Sequence, residues 1–166
     1  MAQVLCIQPW IYDFTAFNQW IEPLGLLSVA GVLRAAGHRV ALIDCLDRQH
    51  PAAPAPSSPR DQYGCGHFPK VEIPFPTALK RVKRRWGRYG IPEAVFEAEL
   101  SAQDRPDVVL VTSMMTYWYP GPFEVIRRVK SKWPGVPVAL GGVYATLCRE
   151  HAIEHSGADI VISGPG

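Results

Sequence analysis

Val108-Val109-Leu110-Val111 is a run of four aliphatic residues between Asp107 and Thr112-Ser113. A strand without polar alternation has no side to give to water, so this one is predicted to lie in a parallel sheet with helices packed on both faces. The chain repeats that unit. Val4 to Ile7 is a short apolar run closed by Pro9, and Arg39 to Asp44, Val136 to Leu140 and Ala158 to Ile162 are further strands. Between them lie helical patterns. Leu26, Val29, Ala30 and Leu33 recur at i, i+3, i+4 and i+7 after Pro23, and Gly37 supplies the stop. A second helix runs from Pro92 to about Ala102. A third begins near Pro122, with Val125, Ile126, Val129 and Trp133 on one side and Arg127, Arg128 and Lys130 to Lys132 facing solvent, and ends at Pro134-Gly135. A short fourth spans about Arg149 to His155.

Strands alternating with helices pair in parallel through right-handed crossovers. The predicted fold is therefore α/β, a doubly wound, Rossmann-like sheet of five parallel strands in the flavodoxin-like order 2-1-3-4-5. Its switch point falls between strands one and three. At 166 residues the chain is long enough for one domain with its own core. The alternation breaks at about 47–91, read as a long insertion after strand two. It holds a Pro/Ala/Ser-rich tract (Pro51 to Pro59), Gly64-Cys65-Gly66 and a basic run from Lys80 to Arg88. Such a tract is expected to lie over the surface or against a partner.

A composition of 48% hydrophobic and 19% charged residues argues against disorder. No apolar run reaches membrane-spanning length, no positively charged leader precedes the first strand, and the scattered Cys6, Cys45, Cys65 and Cys148 lack zinc or redox spacings. A cytoplasmic protein with reduced thiols and no membrane partner is expected. Basic residues interleaved with aromatics from Lys80 to Tyr89 have the look of a nucleic-acid surface. The net charge is only +2 and the run falls in the insertion, so it is read as a solvated or docking helix. Cys65 and His67 have no second ligand pair nearby and are read as loop residues, not a metal site.

In the predicted order, the loops leaving strands one, three, four and five converge on one crevice at the carboxyl edge. They bring Gln8, Pro9 and Trp10, then Thr112, Ser113 and Met114, then Gly141 and Gly142, then Ser163 and Gly164. With Tyr12, Tyr117, Trp118 and Tyr119 this is an aromatic mouth with hydroxyls at its base, and the glycines allow close approach of a large ligand. A bulky, flat, partly apolar molecule would fit there. The aromatics could equally pack on a neighbouring domain or on the insertion. Neither GxGxxG nor GxxxxGK occurs, which disfavours dinucleotides and phosphate-loop nucleotides.

In this order, Pro23-Leu24-Gly25-Leu26-Leu27, the helix ending Arg34-Ala35-Ala36-Gly37-His38, the strand ending Leu42-Ile43-Asp44, Asp107 to Ser113, Gly141 to Thr146 and Gly157 to Gly164 resemble the N-terminal cobalamin-binding-type domain of radical S-adenosylmethionine (radical SAM) proteins. The resemblance implies that the loops hold cobalamin with the corrin facing a catalytic barrel, while the nucleotide tail runs between sheet and helices. Thr112 and Ser113 would meet the tail, and Gly141 and Gly142 its phosphate or ribose. The DxHxxG motif is absent, so cobalt would take no histidine from this chain. The barrel, downstream in the same polypeptide, would hold a 4Fe-4S cluster and S-adenosylmethionine, with methyl transfer as one candidate reaction. CxxxCxxC is absent, and Pro165 stands where the family often has glutamate, so the segment is expected to carry no catalytic centre of its own. It reads as part of a longer radical SAM protein. Two rivals stand beside this one: a cofactor-free docking or substrate-capping domain of the same enzyme class and, third, a flavin-binding electron carrier. The last is disfavoured because Gln8-Pro9-Trp10 lacks the hydroxyl-rich turn that holds a flavin phosphate.

Overall fold

A computed structural model of the chain describes residues 1–19, 22–54, 63, 65–79 and 81–164. The first half runs β1 (Gln3–Gln8), β2 (Ile11–Asp13), β3 (Phe17–Asn18), α1 (Leu24–Ala35), β4 (Arg39–Asp44), β5 (Gly66–His67), β6 (Lys70–Glu72) and β7 (Gly87–Tyr89). The second runs α2 (Glu93–Ala102), β8 (Val108–Val111), α3 (Pro120–Lys132), β9 (Val138–Leu140), α4 (Val143–Leu147), α5 (Arg149–His155) and β10 (Ile160–Val161). No helix among the described residues is long and apolar enough to cross a membrane.

The central sheet has the order β4-β1-β8-β9-β10, and every pairing in it is parallel. Numbering only these five strands along the chain gives the predicted 2-1-3-4-5. Register follows from the apolar runs: Ile7 stands between Ile43 and Val111, and Cys6 between Leu42 and Leu110. Side chains alternate across the sheet. Leu5, Ile7, Ile43, Val109 and Val111 pack with Phe96 and Leu100 of α2 and with Val125, Ile126 and Val129 of α3, in the main core. The opposite face is thinner. Val4 and Cys6 meet Leu26, Ala30 and Leu33 of α1, which is the only helix in that cluster among the described residues. Val108 to Val111 are accordingly half-buried, buried, half-buried and buried in turn. The expectation of complete burial on both faces holds on the α2/α3 side only.

The stretch expected to be a loose surface insertion is partly ordered into sheet. β7 lies between β2 and β6 in an antiparallel three-stranded sheet, and β3 pairs with β5. This cap has its own core of Ile11, Ala16, Leu46, Phe68 and Tyr89, with Trp118 packed against it. Ile11, Leu46 and Trp118 follow β1, β4 and β8, so the cap closes over the carboxyl ends of those strands. The basic run is not a helix: Arg81 to Arg85 are exposed and irregular, and Arg88 is a buried strand residue. Lys80, Gly64 and 55–59 of the Pro-rich tract lie outside the described residues, as do Pro165 and Gly166.

The cap is tied to the core around Trp10 and Ile91. Trp10, 1% exposed, donates from Nε1 to the carbonyl of Ile91 at 2.7 Å and packs on Phe96. The guanidinium groups of Arg88 and Arg128 approach its ring at 5.2 and 5.5 Å, and both pair with Glu93. The amide of Ile91 donates in turn to the carbonyl of Cys45 at 2.8 Å, so the chain returns from the cap one hydrogen bond from where it left.

Candidate ligand groove

Ser113 fixes the turn that follows β9. It is 3% exposed, its hydroxyl donates to the carbonyl of Gly141 at 2.7 Å, and its own carbonyl accepts from the amide of Val143 at 2.7 Å. The amide of Ala145 reaches Ser113 Oγ at 3.4 Å. Gly142, at φ +93°, passes so close that a β-carbon on it would lie 2.3 Å from the Ser113 carbonyl oxygen. A β-carbon on Gly141 would meet nothing within 4 Å. The two glycines therefore do different things: Gly142 permits the close crossing over Ser113, and Gly141 leaves space.

That space is one end of an open groove of about 850 Å³ on the α1 face of the sheet, within the range of small-molecule sites. At the carboxyl edge it is bounded by Thr112, Gly141, Gly142, Thr146 and Gly164, and by Gly25 and Ser28 of α1. Toward the amino edge its floor is Leu110 and Ala139, and its wall is Val29, Val32 and Leu33. Leu147 and Ile162 form the other rim, and Leu147 is 70% exposed. Among the described residues no ionisable side chain lines it. Its hydroxyls lie toward the mouth. Ser28 Oγ donates to the Leu24 carbonyl at 2.8 Å, and Thr146 Oγ1 donates to the Gly142 carbonyl and accepts from the Gly164 amide.

The predicted site residues divide between two places. Thr112, Gly141, Gly142 and Gly164 border the groove. Gln8, Pro9, Trp10, Ser113 and Met114 instead surround a void of about 10 Å³, together with Ile11, Leu46, Trp118 and Pro122. That is room for about one water. The single crevice expected at the switch point is thus filled by the cap, and Ser163 is exposed and lines neither cavity. The expected aromatic mouth is also redistributed. Trp10 is core, Trp118 donates from Nε1 to Asp13 at 2.8 Å, and Tyr119 stacks on Tyr144. Tyr117, 54% exposed, is the most open of the group.

Electrostatic perturbation lies beside the groove rather than in it. Burial at the carboxyl end of β4, with Glu22 and Asp47 adding negative charge, pushes the Asp44 carboxyl up to about 6. Burial likewise raises the Tyr144 hydroxyl to about 12, and Tyr144 and His151 share a hydrogen bond at 2.6 Å. Burial alone raises the Cys6 thiol to about 11, in keeping with a small apolar core residue rather than a reactive one. Among the described residues no group of three or more His, Cys, Asp or Glu side chains could hold a metal ion.

Gly25, Val29, Val32 and Leu33 were not among the expected site residues. Their signal is in the helix itself: from Leu24 to Leu33 α1 has no charged residue. A helix apolar all round has a second surface to cover.

Residues 91–166 match the family model of the B12 binding domain. Nothing among the curated proteins matches the chain. The matched stretch contains β8, β9, β10 and α4, which supply the floor, mouth and outer rim of the groove. It supports a cobalamin-binding domain.

Proposed function

We propose that this chain is the cobalamin-carrying module of a radical SAM enzyme, which presents the corrin to a downstream barrel holding a 4Fe-4S cluster and S-adenosylmethionine. The observation that carries the cobalamin part is the groove: an apolar floor on β8 and β9 opens at a mouth of glycines and hydroxyls, and the floor and the mouth residues other than Gly25 and Ser28 lie within the stretch that matches the B12 binding domain. Those features fit the nucleotide tail of cobalamin. Gly141 and Gly25 leave the mouth and the helix wall open, since a β-carbon at either would meet nothing within 4 Å. The Thr112 hydroxyl and the main chain around Gly141 would face the phosphate and ribose, and Leu110, Ala139 and Leu33 the base. Bound cobalamin supplies organometallic cobalt chemistry, and this chain contributes binding, orientation and exclusion of water. The DxHxxG motif is absent, so cobalt would take no histidine from this chain.

The radical SAM context rests on the ordered sequence segments from Pro23 to Gly164 that resemble that family. A reductively loaded complex of this chain with the barrel would test it. The cobalamin part is tested by titrating the protein with hydroxocobalamin, desalting and recording the visible spectrum. Retained corrin colour in the wild type, lost in Gly141→Leu with an unchanged far-ultraviolet spectrum, is expected. Absence of retained colour in the wild type would favour the cofactor-free docking domain.

A further inference from the structure

His151 and His155 stand one turn apart on α5, both exposed, with 4.6 Å between their ring centroids. We propose that they form a two-histidine site for a divalent ion of the zinc class, outside the groove and independent of whether cobalamin binds there. A helix presents imidazoles at i and i+4 on one face, where a nitrogen from each can come to about 2 Å from a single ion. Neither histidine lines the groove or the small void. With two protein ligands the ion keeps water in its remaining positions, so the site is an exchangeable one rather than a closed structural centre. The Glu154 carboxylate, 3.5 Å from His155 Nε2, adds negative charge beside the pair.

The support behind His151 separates this pair from two histidines that merely share a surface. Phe123 stacks on the His151 ring at 6.2 Å between centroids, Tyr119 meets it edge-on at 5.2 Å, and the Tyr144 hydroxyl shares a hydrogen bond with its Nδ1 at 2.6 Å. Tyr144 is 1% exposed, and burial keeps its hydroxyl protonated at neutral pH. The hydroxyl oxygen can accept from Nδ1–H, and in that tautomer the Nε2 lone pair of His151 is free for a metal. An oxygen behind the second ring nitrogen is the arrangement that orients metal-ligating histidines and raises their basicity. Tyr144 is thus a positioning residue. His151 is held before any ion arrives, and the cost of ordering falls mainly on His155.

The test is zinc titration of the full chain in competition with a colorimetric chelator, with the thermal midpoint recorded in parallel. Zinc is expected to raise the midpoint of the wild type, because the ion braces one turn of a seven-residue helix in the folded chain. His151→Ala and His155→Ala are each expected to weaken zinc by about tenfold or more and to abolish that rise, with zinc-free midpoints close to wild type. Tyr144→Phe keeps the ring and removes only the hydroxyl; a loss of about tenfold in zinc affinity is expected, and the nitrogen resonances of His151 in zinc-loaded wild type should show the Nδ1-protonated form. Cys148 packs against the main core, so Cys148→Ala should bind zinc like wild type. Unchanged affinity in the two histidine variants, or affinity lost in Cys148→Ala, overturns the site. Wild-type affinity in Tyr144→Phe reduces the pair to adventitious surface chelation and overturns it as a built site.

Discussion

The carbonyl oxygen of Ser113 would stand 2.3 Å from a β-carbon on Gly142, although the two residues belong to different crossovers. The β8 and β9 loops are locked together at that point. Gly142→Ala combines a left-handed backbone angle with a backbone clash and should cost about 3 kcal/mol, whereas Gly141→Ala, in open space, should stay within about 0.5 kcal/mol of wild type. Denaturant unfolding of the pair checks this, and equal midpoints would refute it.

Trp10 should be worth more to the cap than to any ligand. Trp10→Phe leaves the Ile91 carbonyl without its indole donor and should cost about 1–3 kcal/mol. Trp10→Ala should cost about 3–5 kcal/mol and expose the segment between Cys45 and Ile91 to limited proteolysis. Corrin retention by any folded Trp10→Phe protein should equal wild type.

Asp44 sets a pH dependence of known sign. Its carboxyl titrates at about 6 in the folded chain against about 3.9 when unfolded. Between those values the folded state binds more protons, so stability falls as pH rises from about 4 to 6 and stays reduced above it. Asp44→Asn, which keeps an acceptor for the Leu46 amide, should raise stability at pH 7 by about 1–2 kcal/mol and flatten that decline. Parallel stability curves for variant and wild type across pH 4–7 would rule this out.

Gly25→Leu gives a different pairing of effects. The position is in the first turn of α1, and a β-carbon there meets nothing within 4 Å. Replacing glycine in a helix should add about 0.5–1 kcal/mol, while the side chain narrows the groove. A higher melting temperature with reduced corrin retention is expected, and unchanged retention would remove Gly25 from the groove wall.

The strand order was legible because each strand of the central sheet is a compact apolar run bounded by a breaker or polar pair. Val108 to Val111 demanded a parallel sheet, and the observed pairings supply it. The cap was not legible. Its β2 and β7 are three residues each, and Ile11 finds Tyr89 across most of the first half of the chain, with the charged Arg88 beside Tyr89 in the buried strand, opposite Tyr12. No local periodicity announces such a pairing. The same gap misdirected the site. An aromatic directly after a strand reads alike whether it lines a ligand mouth or anchors a cap, and only the Trp10–Ile91 bond distinguishes the two. Thr112, Gly141, Gly142 and Gly164 follow from strand ends alone. The α1 wall shows in the sequence only as a helix with no charged residue before Arg34.

The hydrogen bond from the Ile91 amide to the Cys45 carbonyl has an evolutionary corollary. An excursion whose two ends meet like the mouth of a purse can lengthen, shorten or change its contents without shifting any strand beneath it. Residues 46–90 can thus vary in length with little disturbance of the frame, and related chains would be expected to diverge there first.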